Sequence, residues 1–331
     1  MSVDKVISDW KKSAYKPVYW IEGDEEFYVD QLVDYAEHHI LNESEASFNL
    51  TIFYGKDAAW PDVLNACRKY PMFSDRQVVI VKEAQQMKDV DKLEPYIQTP
   101  LASTILVVAF KDKKLDSRTK FAKLVKDKTE YIVTKKLYDN ALPEWVNTVV
   151  KNMGYTISPK ANSLIVDHIG NDLSRIKNEI DKILINLGTR KSITEEDVEN
   201  YVGISKEFNV FELQNAIATR NLAKAVRIIQ YFAANPKIAP IQLVLPSLYS
   251  FFNKTYMVYG ASGGEDAIAK QIGVGPFFVK SYLQASKTYS FRDVEKILLL
   301  LHSYNLKSLG INTARVEDAE LLKEMVVKIM M

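Results

Sequence analysis

Short apolar runs rich in β-branched residues alternate with helical patterns through residues 1–140. This alternation is typical of a mostly parallel sheet that is covered by helices. The run from Thr104 to Phe110 is apolar without interruption, which favours a central strand buried on both faces. The predicted strands are Val18 to Ile21, Asn49 to Phe53, Gln77 to Val81, Thr104 to Phe110 and Tyr131 to Val133. We therefore predict an α/β domain with a five-stranded parallel sheet.

From about Asp139 onward, apolar residues recur at three- and four-residue spacing, which predicts helices. Ser158, followed by proline, has the pattern of a helix start, and Asp172 can begin a longer helix. Thr194 opens the sequence Thr-Glu-Glu-Asp, which has the spacing of a capping box. We predict a small helical domain over residues 141–205.

The last third, residues 206–331, also has helical periodicity and makes up a third domain, an all-α one. Asn209 and Asn221 can each cap a helix, and Ser290 opens a second capping-box spacing. The prolines that mark expected bends or helix starts are Pro236, Pro240, Pro246 and Pro276.

The charges of the chain almost cancel, with 43 Lys and Arg residues against 42 Asp and Glu residues. A chain of this kind has no overall field that would concentrate it on nucleic acid or on an anionic membrane. Any DNA contact must therefore be local or shared with partners. The 47% of hydrophobic and 26% of charged residues are ordinary for a chain that buries cores.

The single cysteine, Cys67, excludes an intramolecular disulfide and a cysteine cluster for zinc, so a reducing cytoplasm fits best. The amino terminus lacks the uninterrupted apolar core of a secretion signal. No stretch approaches about 18 uncharged apolar residues, so we expect no membrane segment.

The turn after the first strand, Glu22 to Phe27, is where a phosphate-binding loop would stand in an ATPase of this architecture. Phosphate binding requires glycines and a lysine, whereas carboxylates occupy this turn and would repel a triphosphate. Where a magnesium-binding Asp is expected after the third strand, the chain has Lys82. Either a nucleotide site has been lost, or the fold never had one.

The stretch from Tyr70 to Asp75 carries two large apolar residues, Met72 and Phe73, at a predicted turn tip. Such a pair exposes apolar area unless something covers it. Burial in the domain's own core and binding to a partner's pocket are both open at this point.

Basic residues cluster after the fourth strand, and such a run is either a solvated face or a contact with a few phosphates. The cluster consists of Lys111, Lys113, Lys114, Arg118, Lys120, Lys123, Lys126 and Lys128.

The segment 267–283 has the spacing of a helix-turn-helix, which would place Phe277 to Leu283 in a major groove. Phe277 and Phe278 offer bulk where polar base readers are expected, so a packed helical pair is favoured.

The histidines, His38, His39, His168 and His302, are scattered and have no metal-ligand spacing. His168 lies on an apolar helix stripe and is expected to be a core or boundary residue. No pair of carboxylates stands out as catalytic, so we expect no intrinsic catalysis and no residues that bind a cofactor or a metal.

The chain resembles the delta subunits of bacterial DNA polymerase III. No single string carries the resemblance, which depends on the order and spacing of several. These are Val18 to Phe27, Pro71 to Ser74 with Gln77 to Val81, Lys114 to Lys120, Gly170 to Leu173 with Asn178 to Lys182, and Asn209 to Leu213.

The resemblance implies an AAA+-like first domain without a functional phosphate-binding loop (1–140), a helical lid (141–205) and a C-terminal helical collar (206–331). The collar would join ATP-binding gamma or tau subunits and delta prime, so this chain itself would need no cofactor. The family's clamp-binding element is a helix that ends in a hydrophobic pair, and Tyr70, Pro71, Met72 and Phe73 occupy its position. Met72 stands where Leu is common, and Pro71 precedes it, but both keep the apolar volume.

The resemblance thus implies a cytoplasmic, non-ATPase subunit that binds and opens the beta sliding clamp for loading on primed DNA during DNA replication. It would be part of a DNA-directed DNA polymerase holoenzyme, with possible DNA contacts at Lys111, Lys113, Lys114, Arg118 and Lys120. The alternative is a nucleic-acid-binding protein that uses the segment 111–128 or 267–283. A degenerate ATPase is a third hypothesis.

Overall fold

The computed structural model describes residues 3–205, 207–236, 239–311 and 316–331. The chain forms two compact units, one that ends at Leu137 and one from Tyr138 to Met331. The predicted division into three domains stays a prediction, and Lys206, where its second boundary falls, lies outside the described residues.

In the first unit, strands alternate with helices. Its elements are α1 (Val3–Lys11), β1 (Val18–Gly23), α2 (Glu26–His39), α3 (Glu43–Asn49), β2 (Leu50–Tyr54), α4 (Trp60–Cys67), β3 (Gln77–Lys82), α5 (Glu94–Gln98), β4 (Thr104–Lys111), α6 (Lys120–Lys128) and β5 (Glu130–Thr134), with 3₁₀ turns at Ala84–Gln86 and Val90–Leu93.

The five strands form one parallel sheet in the order β2-β3-β4-β1-β5. Each predicted strand is present, but Asn49 is the last residue of α3 and not the start of a strand. β4 is buried from Thr104 to Phe110, as expected for a central strand with helices on both faces. Trp20 belongs to the apolar cluster on one face of the sheet and Ile21 to the cluster on the other. Such alternation along a strand joins the sheet to both helical layers.

The second unit is mainly helical. Its elements are α7 (Leu142–Asn152), β6 (Thr156–Ile157), α8 (Pro159–Ile169), α9 (Leu173–Asn186), β7 (Ser192–Ile193), α10 (Glu195–Val202), α11 (Val210–Ala218), α12 (Leu222–Ala234), α13 (Ile241–Val258), α14 (Glu265–Gln271), α15 (Val279–Thr288), α16 (Phe291–Ser308) and α17 (Asp318–Met330), with a 3₁₀ turn at Asp139–Ala141.

The predicted helix caps are confirmed because each side chain accepts a hydrogen bond from a backbone N–H in the first turn. Thr194 and Ser290 form reciprocal capping boxes. The other confirmed caps are Ser158, Asp172, Asn209 and Asn221.

Two features of the second unit differ from the sequence pattern. The short parallel pair of β6 and β7 was not predicted, since two residues are too few to show a period. Pro246 lies inside α13, where a bend or start was expected. Pro246 is the sixth residue of α13 and has no N–H, so the helix lacks the one hydrogen bond that this position would donate in the second turn. Among the described residues, no helix is long and apolar enough to cross a bilayer.

Candidate functional site

The loop between α4 and β3 exposes a group of apolar side chains that we call the apolar tip (Tyr70, Pro71, Met72 and Phe73). The exposed fraction is 92% for Phe73, 80% for Tyr70 and 53% for Met72. These side chains are therefore not packed in the core of their own unit. An exposed apolar group of this size is typical of a surface that binds another protein.

Asn49 fixes the backbone of the apolar tip. Its side-chain amide accepts a hydrogen bond from the Met72 backbone N–H at 2.7 Å and donates one to the Met72 carbonyl at 2.8 Å. The Asn49 side chain is almost fully buried and also donates to the Glu45 carbonyl of its own helix. Both backbone groups of Met72 are thus satisfied from one rigid side chain, and the Met72 side chain points away from the core.

A second contact joins α3 to the loop. The Ser74 hydroxyl donates to the Glu45 carboxylate at 2.9 Å, and the same carboxylate accepts from the Asn42 backbone N–H that begins α3. These donors, the Asn42 N–H first, hold the pKa of the Glu45 carboxyl below its usual range. Glu45 therefore remains ionised at neutral pH and caps its own helix while it holds the loop.

Hydrogen bonds from the sheet hold the other end of the loop, where it leaves α4. The buried Gln77 amide donates to the carbonyls of Ala66 and Lys69, at 3.1 and 2.6 Å, and the Thr104 hydroxyl donates to the Cys67 carbonyl at 2.9 Å. These bonds join the last turn of α4, and Lys69 just after it, to β3 and β4. The apolar tip consequently starts from a fixed helix end.

The backbone of Phe73 lies in the left-handed region, with φ of 55°. A residue other than glycine adopts this conformation at some cost in energy, so the neighbouring bonds must maintain it. The Phe73 ring meets the ring of Phe48 edge to face, with 6.5 Å between centroids, and Phe48 is itself 65% exposed.

Phe48, Asn49 and Glu45 were not among the residues predicted for this site. Asn49 lies 23 residues before Met72, so no local spacing could connect them. The local pattern offers a polar residue directly before an apolar strand, which predicts the start of that strand and not a contact with a distant loop.

The acidic segment from Glu22 to Phe27 was expected to be a turn, but its first two residues are the end of β1, and hydrogen bonds close this part of the structure. The Glu22 carboxylate is buried and accepts from the Trp20 indole N–H at 3.1 Å, from the Leu115 backbone N–H at 3.1 Å and from the Tyr131 hydroxyl. Burial, with the adjacent Glu22 carboxylate, raises the pKa of Tyr131 well above its usual value. A fixed carboxylate at this place would repel a phosphate group.

The backbone of the same turn is also closely packed. Gly23 has φ of 140°, and a Cβ there would lie 2.0 Å from the Thr134 carbonyl oxygen. The side chain of Glu25 accepts from the Phe27 N–H and caps α2. The positions that a phosphate-binding loop would need are therefore filled by the protein itself.

Part of the predicted basic segment is neutralised by this turn and by α2. Lys111 pairs with Asp30 at 2.6 Å, and Lys114 pairs with Asp24 at 2.8 Å. Arg118 pairs with its neighbour Asp116 at 2.7 Å. These pairs reduce the positive charge that could meet DNA phosphates.

Two other predicted DNA-contact residues differ from the three paired ones. Lys113 and Lys120 are exposed, and neither has an ion pair within the part of the chain that the structure describes.

The helix-turn-helix-like segment forms a packed helical pair, as predicted. Ala269 of α14, Ile272 and Val279 of α15 are buried in one cluster with Val258. Phe277 is exposed at the turn between the helices.

The described residues contain no group of three or more His, Cys, Asp or Glu side chains that could hold a metal ion. His168 is half-buried, and burial lowers the pKa of its imidazole.

The comparisons with known proteins agree on one family. A family model described as "DNA polymerase III, delta subunit" matches residues 19–135, and a model of the C-terminal domain of the same family matches residues 207–328. The DNA polymerase III subunit delta of Bacillus subtilis (strain 168) is 26% identical over 311 residues, 90% of each chain. The probable DNA polymerase III subunit delta of Aquifex aeolicus (strain VF5) is 21% identical over 274 residues, 76% of each.

A solved structure gives the same result for the fold. The Bacillus subtilis DNA clamp loader delta protein is 25% identical, with a TM-score of 0.54 over 99% of each chain. The class is thus an α/β sheet protein with a helical C-terminal part, as predicted. The chain belongs to the family of DNA polymerase III delta subunits, which are clamp-loader proteins of DNA replication, and the predicted resemblance is confirmed.

Proposed function

We propose that this chain binds the ring-shaped beta sliding clamp through the apolar tip and opens it, and that it hydrolyses no ATP itself. The observation that carries the proposal is the 92% exposure of Phe73, next to a residue, Met72, whose backbone N–H and carbonyl are both hydrogen-bonded to Asn49. A large aromatic side chain on a fixed backbone loses little conformational freedom when it enters a pocket.

Met72 and Phe73 are the central contacts in this mechanism, and Tyr70 and Pro71 flank them. Burial of an aromatic ring and an adaptable thioether chain in an apolar pocket has the character of an interface hot spot. If the pocket on the clamp binds these two side chains more tightly in the open ring than in the closed ring, their binding would shift the clamp toward the open state.

The partners in this mechanism are the ATP-binding gamma or tau subunits and delta prime, which would meet the collar (206–331) that follows the lid (141–205) along the chain. Primed DNA would pass within the assembly. The absence of ATP binding by this chain is supported by Glu22, whose buried carboxylate lies at the end of β1, directly before the turn. The nucleotide chemistry would then belong to the neighbouring subunits.

For DNA contact within the assembly, Lys113 and Lys120 are favoured over Lys111, Lys114 and Arg118. The latter three are held in ion pairs. Contact at these two positions would add a few salt-sensitive phosphate interactions and no sequence readout.

Binding of the purified chain to its own species' beta clamp tests the proposal. We expect Met72→Ala/Phe73→Ala to weaken binding by at least about 2 kcal/mol, because both side chains are central apolar contacts. Phe277→Ala is the matched control, since this ring is also exposed but lies in the second unit. Circular dichroism establishes that all variants are folded.

Two results would contradict the proposal. Either the wild-type chain shows no binding to the clamp, or the double variant binds as tightly as the control. Salt-sensitive duplex binding by the isolated chain would then favour the nucleic-acid alternative.

A further inference from the structure

Helix α3 forms a platform beneath the apolar tip. It holds the loop at two places, through the Asn49 amide on Met72 and through the Glu45 carboxylate on Ser74. The helix is itself fixed at its start by the reciprocal bonds between Asn42 and Glu45. Its position relative to the loop is therefore determined by bonds at both of its ends.

The same helix places a third aromatic ring beside the tip. Phe48 is 65% exposed and meets the Phe73 ring edge to face. An exposed phenylalanine that touches a still more exposed one makes one continuous apolar surface. A partner that covers Phe73 would have to pass next to Phe48.

We propose that the clamp-binding element extends onto α3, with Phe48 as a contact residue and Asn49 as a positioning residue for Met72 and Phe73. This inference rests on the proposed function. The partner it implies is an apolar pocket on the clamp whose rim is apolar on the side of Phe48. A rim of that kind would contact Phe48 as well, whereas a pocket without it would bind only Met72 and Phe73.

The role of Asn49 follows from the backbone groups that would lose their hydrogen-bond partner if its side chain were removed. Without the amide, the N–H and the carbonyl of Met72 would have to find water, and the left-handed backbone of Phe73 would lose its nearest support. The loop would then sample other conformations, and the side chains would no longer be presented in one orientation. Affinity falls when ordering must occur at the moment of binding.

The first test measures clamp affinity for Phe48→Ala and for its conservative partner Phe48→Leu. We expect about fivefold to tenfold weaker binding for the alanine variant and a smaller loss for leucine, because apolar contact area is what the ring contributes. Ser47→Ala is the control on the same helix. An alanine variant with unchanged affinity would overturn the contact role of Phe48.

The second test combines Asn49→Ala with Phe73→Ala in a double-mutant cycle. We expect Asn49→Ala alone to weaken binding about tenfold, but only about threefold when Phe73 is already alanine, because Met72 is then the only side chain left to position. Hydrogen exchange of the Met72 amide should accelerate in Asn49→Ala while core amides do not change. Asn49→Asp keeps the acceptor for the Met72 N–H and should bind with intermediate affinity.

A merely structural Asn49 would give equal losses in both backgrounds or exchange that accelerates throughout the unit, and either result would overturn the positioning role. If Asn49→Ala does not fold, Asn49→Asp decides by the same cycle. Loss of binding in Met72→Ala/Phe73→Ala with no effect of the α3 variants refutes this inference and leaves the proposed function standing. Failure of the wild-type chain to bind the clamp refutes the proposed function.

Discussion

The acidic turn and the apolar tip of the first unit lie at opposite edges of one sheet. One edge is formed by the carboxyl ends of the parallel strands and the other by their amino ends. The acidic turn follows β1 at the carboxyl edge, whereas the apolar tip precedes β3 at the amino edge. Ligands of open α/β sheets usually bind at the carboxyl edge. Here that edge is closed by Glu22 and by ion pairs, while the amino edge exposes Phe73.

The comparison of the two edges shows that the exposed apolar surface of such a sheet need not lie at the carboxyl edge, where ligands usually bind. At the carboxyl edge, the carboxylates of Glu22, Asp24 and Asp30 all bond to groups of the protein itself. At the amino edge, polar groups such as Asn49 are used to hold apolar side chains in solvent. Stability should therefore depend on the first edge, and partner binding on the second.

The largest effect is expected at the closed edge, for Gly23→Ala. The new Cβ would meet the Thr134 carbonyl, and φ of 140° disfavours any side chain, so we expect a loss of about 3 kcal/mol or more in the free energy of unfolding. Urea denaturation measures it. Gly154→Ala is the matched control because Gly154 also has positive φ but no atom within 4 Å of a new Cβ. Equal losses in both variants would show that the close packing at Gly23 is unimportant.

Glu22→Ala should have the next largest effect. It leaves the indole of Trp20, the hydroxyl of Tyr131 and the N–H of Leu115 without their acceptor, which should cost about 2–3 kcal/mol of stability. Glu22→Gln keeps one side-chain oxygen and should lose less. Clamp affinity of both folded variants should equal that of wild type, and a loss of affinity comparable to that of the tip variants would break the separation of the two edges.

The second unit contains a desolvated carboxylate, that of Asp167, which should make its stability depend on pH. Desolvation raises the pKa of Asp167 to about 7, against the attraction of Lys254, whose own pKa desolvation lowers. Because the folded state binds the proton more tightly than the unfolded state, stability should fall as pH rises from about 4 to about 7. Asp167→Asn should remove this contribution. An unchanged pH profile of unfolding in the variant would contradict it.

The smallest effect is expected for Ser74→Ala at the open edge. Its hydroxyl donates to a solvent-accessible carboxylate, so clamp binding should weaken by less than about 1 kcal/mol. Ser47→Ala provides the comparison because its hydroxyl bonds only within α3. A loss as large as that of Phe73→Ala would mean that the loop is held mainly by Ser74 and not by Asn49.

Much of the fold could be predicted from local patterns. The run from Thr104 to Phe110 is a buried central strand, and Thr194 forms the capping box that its spacing indicates. Period and caps act within a few residues, so they are visible in the sequence. Met72 and Phe73 could be recognised as unusual for the same reason, because both apolar side chains stand next to turn residues.

The five strands of the first unit, six helix caps of the second, the acidic segment after β1 and an apolar pair in a loop could thus be predicted from the sequence. The folded protein alone shows that Phe73 is exposed, that Asn49 bonds to Met72 across 23 residues, and that Glu22 accepts from Tyr131, 109 residues away. The physical reason is that hydrogen bonds and burial depend on which groups the packed sheet brings together. Residue spacing along the chain carries no information about these distant partners until the sheet has formed.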